Sequence, residues 1–397
     1  MIGRTVRLEL NRFDEIPPTL RADSSSDKAV SHVLVDLGRL YHHYYFDTWE
    51  SQPPDPNPAQ FEPLRFLTEG PDFRFQGSGL GASSTAKKQK SNELGQAFCR
   101  WFLYEHVGLT YFAHISNVLN RPAHPGFRGL RIVRSSGGGD APDYLCARKT
   151  RGVYLAEAKG RYSSIGFGSK EFASWRSQFE HVLVFDRNNK PRRLKGYIVA
   201  TRYGTERNVK SVMTTLFAED PVTPGENDFD DDETQGPNAR VAIISTHYSN
   251  IFGRLGLRLF AASLRQGFSV PRELSPRAVI WQCLVPPLQG RKFIGGYFTM
   301  PGISWESKLG TFIPDNPFVL PPPEPTFFGV ELGIAQLLVR ATYGEQALLQ
   351  NIPQMEEADN ERMSNFSALR DGTVLAPLDY FRPVVFDFIL PSGDGTR

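Results

Sequence analysis

Cysteine is scarce in this chain of 397 residues: Cys99, Cys146 and Cys283 make an odd set without the paired spacing of a zinc cluster or a disulfide framework. No run approaches the ~20 consecutive apolar residues that a membrane span requires. The segment Met1-Ile2-Gly3-Arg4 is followed by an alternating stretch and carries no apolar signal core. The expectation is a soluble, unexported, cytoplasmic protein with no membrane partner. Gly137-Gly138-Gly139 lacks the following Lys-Ser/Thr of a phosphate-binding loop, and there is no dinucleotide fingerprint, nucleophile elbow or internal repeat.

What is present describes a globular protein rich in turns. Hydrophobic residues make up 40%, charged residues 22%, and there are 35 Gly and 30 Pro. The length suits two or three domains. The net charge is only +2, but it is unevenly spread: Arg121–Lys210 holds 19 basic and 7 acidic residues, leaving the rest of the chain net acidic. Such a concentration is the footprint expected where phosphates are neutralised.

Composition shifts suggest four segments: an N-terminal extension (1–88), a core (89–217), an acidic Pro/Gly linker or loop (218–238) and a C-terminal α+β region for target or partner binding (239–397). Thr5–Leu10 alternates as a strand, and a helix is expected near Lys28–Glu50. Loops are expected at Pro53–Pro63 and Gly77–Thr85. In the core, a helix from Ser91 to Gly108 precedes β-rich runs at Gly129–Arg134, Asp143–Lys149 and Val153–Lys159. A helix at Lys170–Phe185 and a strand at Gly196–Arg202 follow, giving the order α-β-β-β-α-β. Beyond the acidic run at Pro221–Pro237, Arg240–Ser245 reads as a strand, Tyr248–Leu264 as a helix and Phe328–Gln350 as another helix.

The chemistry centres on Pro142-Asp143 and Glu157-Ala158-Lys159, joined by a Gly152-containing turn. Taken as a hairpin with Lys149 opposite Val153, Asp143 lies opposite Lys159 and Glu157 sits on the diagonal, ~7–8 Å away. Alternation turns Glu157 and Lys159 to one side. Two carboxylates so placed can hold a hard cation such as Mg²⁺, with an ammonium beside it, a set suited to phosphodiester hydrolysis.

The pattern Pro142-Asp143, a gap, Glu157-Ala158-Lys159 resembles the PD-(D/E)xK motif of the restriction-endonuclease-like nuclease superfamily, over Ser91–Tyr203. The resemblance implies an α/β fold with a mixed central sheet flanked by helices, and Mg²⁺- or Mn²⁺-dependent cleavage of DNA. By the same resemblance Asp143 and Glu157 bind the metal and Lys159 assists the attacking water, in a setting of prokaryotic restriction or anti-phage defence. Glu93 resembles the extra helix acid that many members aim at the metal, and Gln178 the helix glutamine some place beside the active site. Val182 stands four residues after Gln178, so the Gln-x-x-x-Tyr pattern of one nuclease branch is absent.

Arg161, Lys170, Arg176, Arg192, Arg193 and Lys195 are candidate phosphate contacts. Tyr162, Phe167 and Trp175 are candidates for stacking on bases. Partners expected are DNA and either a second subunit of a defence complex or further copies of the chain. An RNA nuclease, or a non-catalytic nucleic-acid or protein binding module, remains as an alternative. Adjacent His42 and His43 on a helix face different ways and are not expected to share a metal, and His247 is expected as a capping or buried histidine.

Overall fold

The structure, a computed structural model, describes residues 3–23, 27–48, 56, 61–118, 131–134, 139–149, 152–185, 191–192, 194–223, 239–297, 325–356 and 366–390. The acidic run from 224, Gly137, Gly138, Thr150, Arg151 and Arg193 lie outside them. Elements are numbered in chain order. The N-terminal part carries β1 (Arg4–Asn11), β2 (His32–Val35), α1 (Leu37–Thr48), α2 (Glu62–Arg65), β3 (Arg74–Phe75) and α3 (Ser84–Phe102). The middle carries β4 (Tyr111–His114), β5 (Arg131–Arg134), β6 (Tyr144–Ala147), β7 (Val153–Arg161) and α4 (Lys170–Gln178). It continues with β8 (Val182–Phe185), β9 (Pro191–Arg192), β10 (Lys195–Arg202), β11 (Gly204–Thr205) and β12 (Thr215–Glu219).

A seven-stranded mixed sheet in the order β2-β1-β12-β10-β7-β6-β4 is the centre of the fold. Strand β7 is buried on both faces over Leu155–Ala158, as a central strand must be, and lies parallel to β10 and antiparallel to β6. The expected order α-β-β-β-α-β appears as α3, β4, β6, β7, α4 and β10. Its first strand is Tyr111–His114, not Gly129–Arg134. The latter, as β5, pairs with β8 in a separate three-stranded sheet. The expected N-terminal extension adds β1 and β2 to the central sheet, with β1 parallel to β12. The boundaries expected at 88 and 217 fall inside α3 and β12.

Helices pack on both faces of this sheet. On one, Gly95 of α3 meets Gly160 of β7 so closely that a Cβ on Gly95 would lie 2.5 Å from the Gly160 nitrogen. On the other, α4 sets Phe172 against Phe217 of β12, and Phe179, just beyond its end, against Gly196 of β10. Helix α3 starts seven residues before the expected Ser91. Ser83 is its cap, its Oγ accepting from the Ala86 N–H at 3.1 Å, and the first turns have no apolar face to reveal them. A π-helical turn, Leu103–Val107, follows and ends at Gly108 with φ 78°.

The C-terminal part comprises α5 (Ala239–Arg254), α6 (Arg258–Gln266), β13 (Arg277–Cys283), β14 (Lys292–Tyr297), β15 (Thr326–Glu331), α7 (Leu332–Thr342), β16 (Ser367–Ala368), β17 (Thr373–Pro377) and β18 (Phe381–Phe388). Its antiparallel sheet runs β16-β17-β15-β14-β13-β18. Arg240–Ser245, expected as a strand, is the first half of α5. Every residue from Ala239 to Ser249 is buried, so no polar face marks the helical period. The helix expected from Tyr248 to Leu264 is broken at Gly256, where φ is 77°. The start of the one expected at Phe328–Gln350 is strand β15. Helix α7 follows it, the Glu331 carboxylate accepting from the Ile334 N–H at 2.9 Å. One continuous buried cluster joins β1, α1, α3, the central sheet, α5, α6 and α7.

Candidate active site

Strands β6 and β7 bring the three motif residues together. The observed register pairs Ala147 with Val153 and Tyr144 with Ala156, two residues from the expected one. A slip of two leaves every side chain on its face, where a slip of one would have reversed it. Continued past the strand end, this register sets Asp143 across from Glu157 and puts Lys159 on the diagonal. The Asp143 carboxylate accepts a hydrogen bond from the Ala158 N–H at 2.8 Å, which fixes its rotamer over β7. Lys159 Nζ lies 3.8 Å from Asp143 and in closer ion contact with Glu157. The three form one patch.

Burial grades the trio. Glu157 is fully buried, whereas the Asp143 and Lys159 side chains are 24% and 29% exposed. Burial, reinforced by the neighbouring Asp143 charge, pushes the Glu157 carboxyl up to about 8 despite Lys159. For Lys159 burial opposes the charged form, but Glu157, Asp143 and more distant Asp140 outweigh it and raise its pKa. The Glu157 carboxyl interacts with both Lys159 and the Asp143 side chain.

This donor set fits a small hard cation. Mg²⁺ is held through one or two carboxylates plus waters and substrate oxygens, without an all-protein cage. Asp143 and Glu157 supply those two carboxylates, and the Lys159 ammonium already lies within 4 Å of both. Among the described residues no group of three or more His, Cys, Asp or Glu side chains is placed to hold a metal.

No protein family, curated protein or solved structure matches this chain.

The remaining candidates divide by their surroundings. Glu93 does not join the site: Ser91 and Gly95 face β7, and a residue midway between them points away from it. Its carboxylate accepts from Gln89 Nε2 at 3.0 Å. Gln178 is buried at the end of α4, and its Oε1 has no partner among the described residues. In the same helix Glu171 pairs with Arg161 of β7 at 3.1 Å, while Arg176 reaches Glu219 of β12.

Several expected phosphate contacts are structural. Arg176 donates through Nε and Nη2 to fully buried Glu219 and through Nη2 to the Phe167 carbonyl. Lys195 pairs with Asp220 at 3.1 Å. Arg161 projects from the same face of β7 as Lys159 but is held by Glu171 and Ser163. Lys170 is exposed at the first turn of α4. The Arg192 side chain and all of Arg193 lie outside the described residues. The expected stacking rings are occupied too. Tyr162 accepts from the Leu80 N–H at 2.8 Å and packs on Tyr203, while Phe167 and Trp175 both pack on Phe172.

Histidines 42 and 43 are buried in α1, with His42 Nδ1 2.9 Å from Ser367 Oγ. His247 lies within α5, its Nε2 2.8 Å from the Asp371 carboxylate. Missed by sequence reasoning is a cluster on the opposite face of the sheet from Glu157: Asp47, Arg100, His114 and Tyr144. These residues come from α1, α3, β4 and β6, and no spacing in the chain connects them.

Proposed function

We propose that this chain is a metal-dependent nuclease acting on DNA phosphodiester bonds. The observation that carries this is the convergence of Asp143, Glu157 and Lys159 on one side of the β6–β7 pair, with a fully buried carboxylate between an acid and an amine. A buried carboxyl whose pKa is raised by burial and by a second acid beside it is unfavourable for folding as the charged form, and such arrangements concentrate at functional sites.

Asp143 and Glu157 would hold Mg²⁺ or Mn²⁺. When bound, the cation supplies a water of lowered pKa and neutralises charge on the scissile phosphate. Lys159 stays cationic between the acids and is placed to orient a water or to offset negative charge on a phosphate oxygen. Ala158 N–H holds the Asp143 carboxylate in place.

A plasmid-cleavage titration with Mg²⁺ and Mn²⁺ tests this, comparing the full chain with Lys159→Ala. Cleavage that needs the metal and falls at least ~100-fold in the variant is expected. Equal cleavage by both proteins, or none by the full chain with either metal, overturns it.

A further inference from the structure

On the far side of the sheet from Glu157, three side chains meet at one carboxylate. Asp47, at the end of α1 and 2% exposed, receives the Tyr144 hydroxyl at 2.5 Å, Arg100 Nη1 at 3.3 Å and His114 Nε2 at 3.1 Å, all on the same oxygen. His114 and Tyr144 pair across β4 and β6, their rings 4.8 Å apart. Arg100 lies over the Phe112 and Tyr144 rings.

These contacts lie directly after Asp143 in the chain. Tyr144 is its chain neighbour, and Ile115, the neighbour of His114, donates its N–H to the Asp143 carbonyl at 2.9 Å. The backbone on the C-terminal side of Asp143, its own carbonyl and the following residue, is thus tied through Ile115–His114 and Tyr144 to one buried acid from the N-terminal part of the chain. Burial opposes the charge on Asp47, yet His114, Arg100 and Tyr144 outweigh it and keep its carboxyl below the ordinary range. Without that charge, two buried or half-buried cations lose their counter-ion and Tyr144 loses a charge-assisted bond.

We infer that Asp47 is a positioning residue for Asp143: acting through Tyr144 and His114, it sets where the Asp143 carboxylate stands for the metal. This rests on the nuclease function proposed above. It also gives α1 and the central sheet a shared purpose, since the acid that anchors the metal-binding strand end comes from outside the α-β-β-β-α-β unit. Outer groups of this kind typically change metal affinity or activity by about 10–100-fold when removed.

The test uses the full chain and Mn²⁺ as the probe, with binding read by electron paramagnetic resonance and cleavage read as separate kcat and KM. Asp47→Asn is expected to weaken Mn²⁺ binding about 10-fold and to lower kcat, with KM for DNA within about 2-fold. Tyr144→Phe keeps the ring and removes only the hydroxyl, and is expected to move both in the same direction by a few-fold; it decides the matter should Asp47→Asn fail to fold. Thr373→Val, which removes a 2.5 Å hydrogen bond to Asp371 in the C-terminal sheet, serves as a stability control and is expected to leave Mn²⁺ binding unchanged. Wild-type Mn²⁺ affinity and kcat in folded Tyr144→Phe and Asp47→Asn would overturn the positioning role alone. A wild-type chain that neither binds Mn²⁺ nor cleaves would overturn it together with the nuclease function.

Discussion

Gly160 and Ser91 touch backbone to backbone: a Cβ on Gly160 would lie 1.7 Å from the Ser91 carbonyl oxygen. This contact sets α3 directly on the strand that carries Glu157 and Lys159. Gly160→Ala must push the helix off the sheet and is expected to cost about 3 kcal/mol or more. Gly166→Ala, whose added Cβ meets nothing within 4 Å, is the matched control. Urea unfolding of both variants checks this, and equal midpoints would refute the close packing.

Arg176 and Lys170 occupy the same helix yet should behave oppositely. Arg176→Ala leaves fully buried Glu219 without its main counter-ion and is expected to destabilise the fold by roughly 3–5 kcal/mol. Lys170→Ala should leave stability unchanged. If Lys170 meets a phosphate, that variant reduces the slope of log affinity against log salt by about 0.9. Melting curves and DNA binding at several salt concentrations separate the two, and an Arg176→Ala protein as stable as wild type would end the structural assignment.

Glu157 makes stability depend on pH in a defined direction. Its folded pKa, about 8, lies above its ordinary value of 4.5, so below pH 4.5 both folded and unfolded chains are protonated there and nothing is lost. As pH rises towards 8 the unfolded chain releases the proton that the folded chain retains, and stability falls by roughly 2–4 kcal/mol before levelling off. Glu157→Gln is expected to remove most of that slope and to melt higher at pH 8, while losing one of the two carboxylates proposed to hold the metal and with it the proposed cleavage. Melts at pH 5, 6.5 and 8 with the same slope in both proteins would contradict this.

Glu93→Gln is expected to leave the proposed metal-dependent cleavage within about 2-fold of wild type, because the side chain points away from β7. Mg²⁺ titration of the variant is the check, and a shift in half-saturating metal of 10-fold or more would show that Glu93 does reach the site.

Local pattern determined a good part of this. The alternation along Val153–Arg161 set Glu157 and Lys159 on one side whatever the register, and a two-residue slip in the hairpin left Asp143 on that side as well. The order of elements in the core followed from periodicity and turn residues, apart from the strand at Tyr111–His114 and the end of the helix expected at Lys170–Phe185, which stops at Gln178 and gives way to strand β8 at Val182–Phe185. Periodicity fails where a helix is buried all round, as in Val241–Ser249, because no polar face is left to mark the turn.

Only the tertiary structure decided which charges are partnered. Arg176 finds Glu219 43 residues on, and Tyr144 finds Asp47 97 residues back. Strand β1 joins β12 across some two hundred residues, making the N-terminal part an integral portion of the sheet. Backbone geometry reaches only a few residues along the chain, so a sequence can declare faces and turns. Which buried charge meets which is settled when distant elements close over a common core and water is excluded from between them.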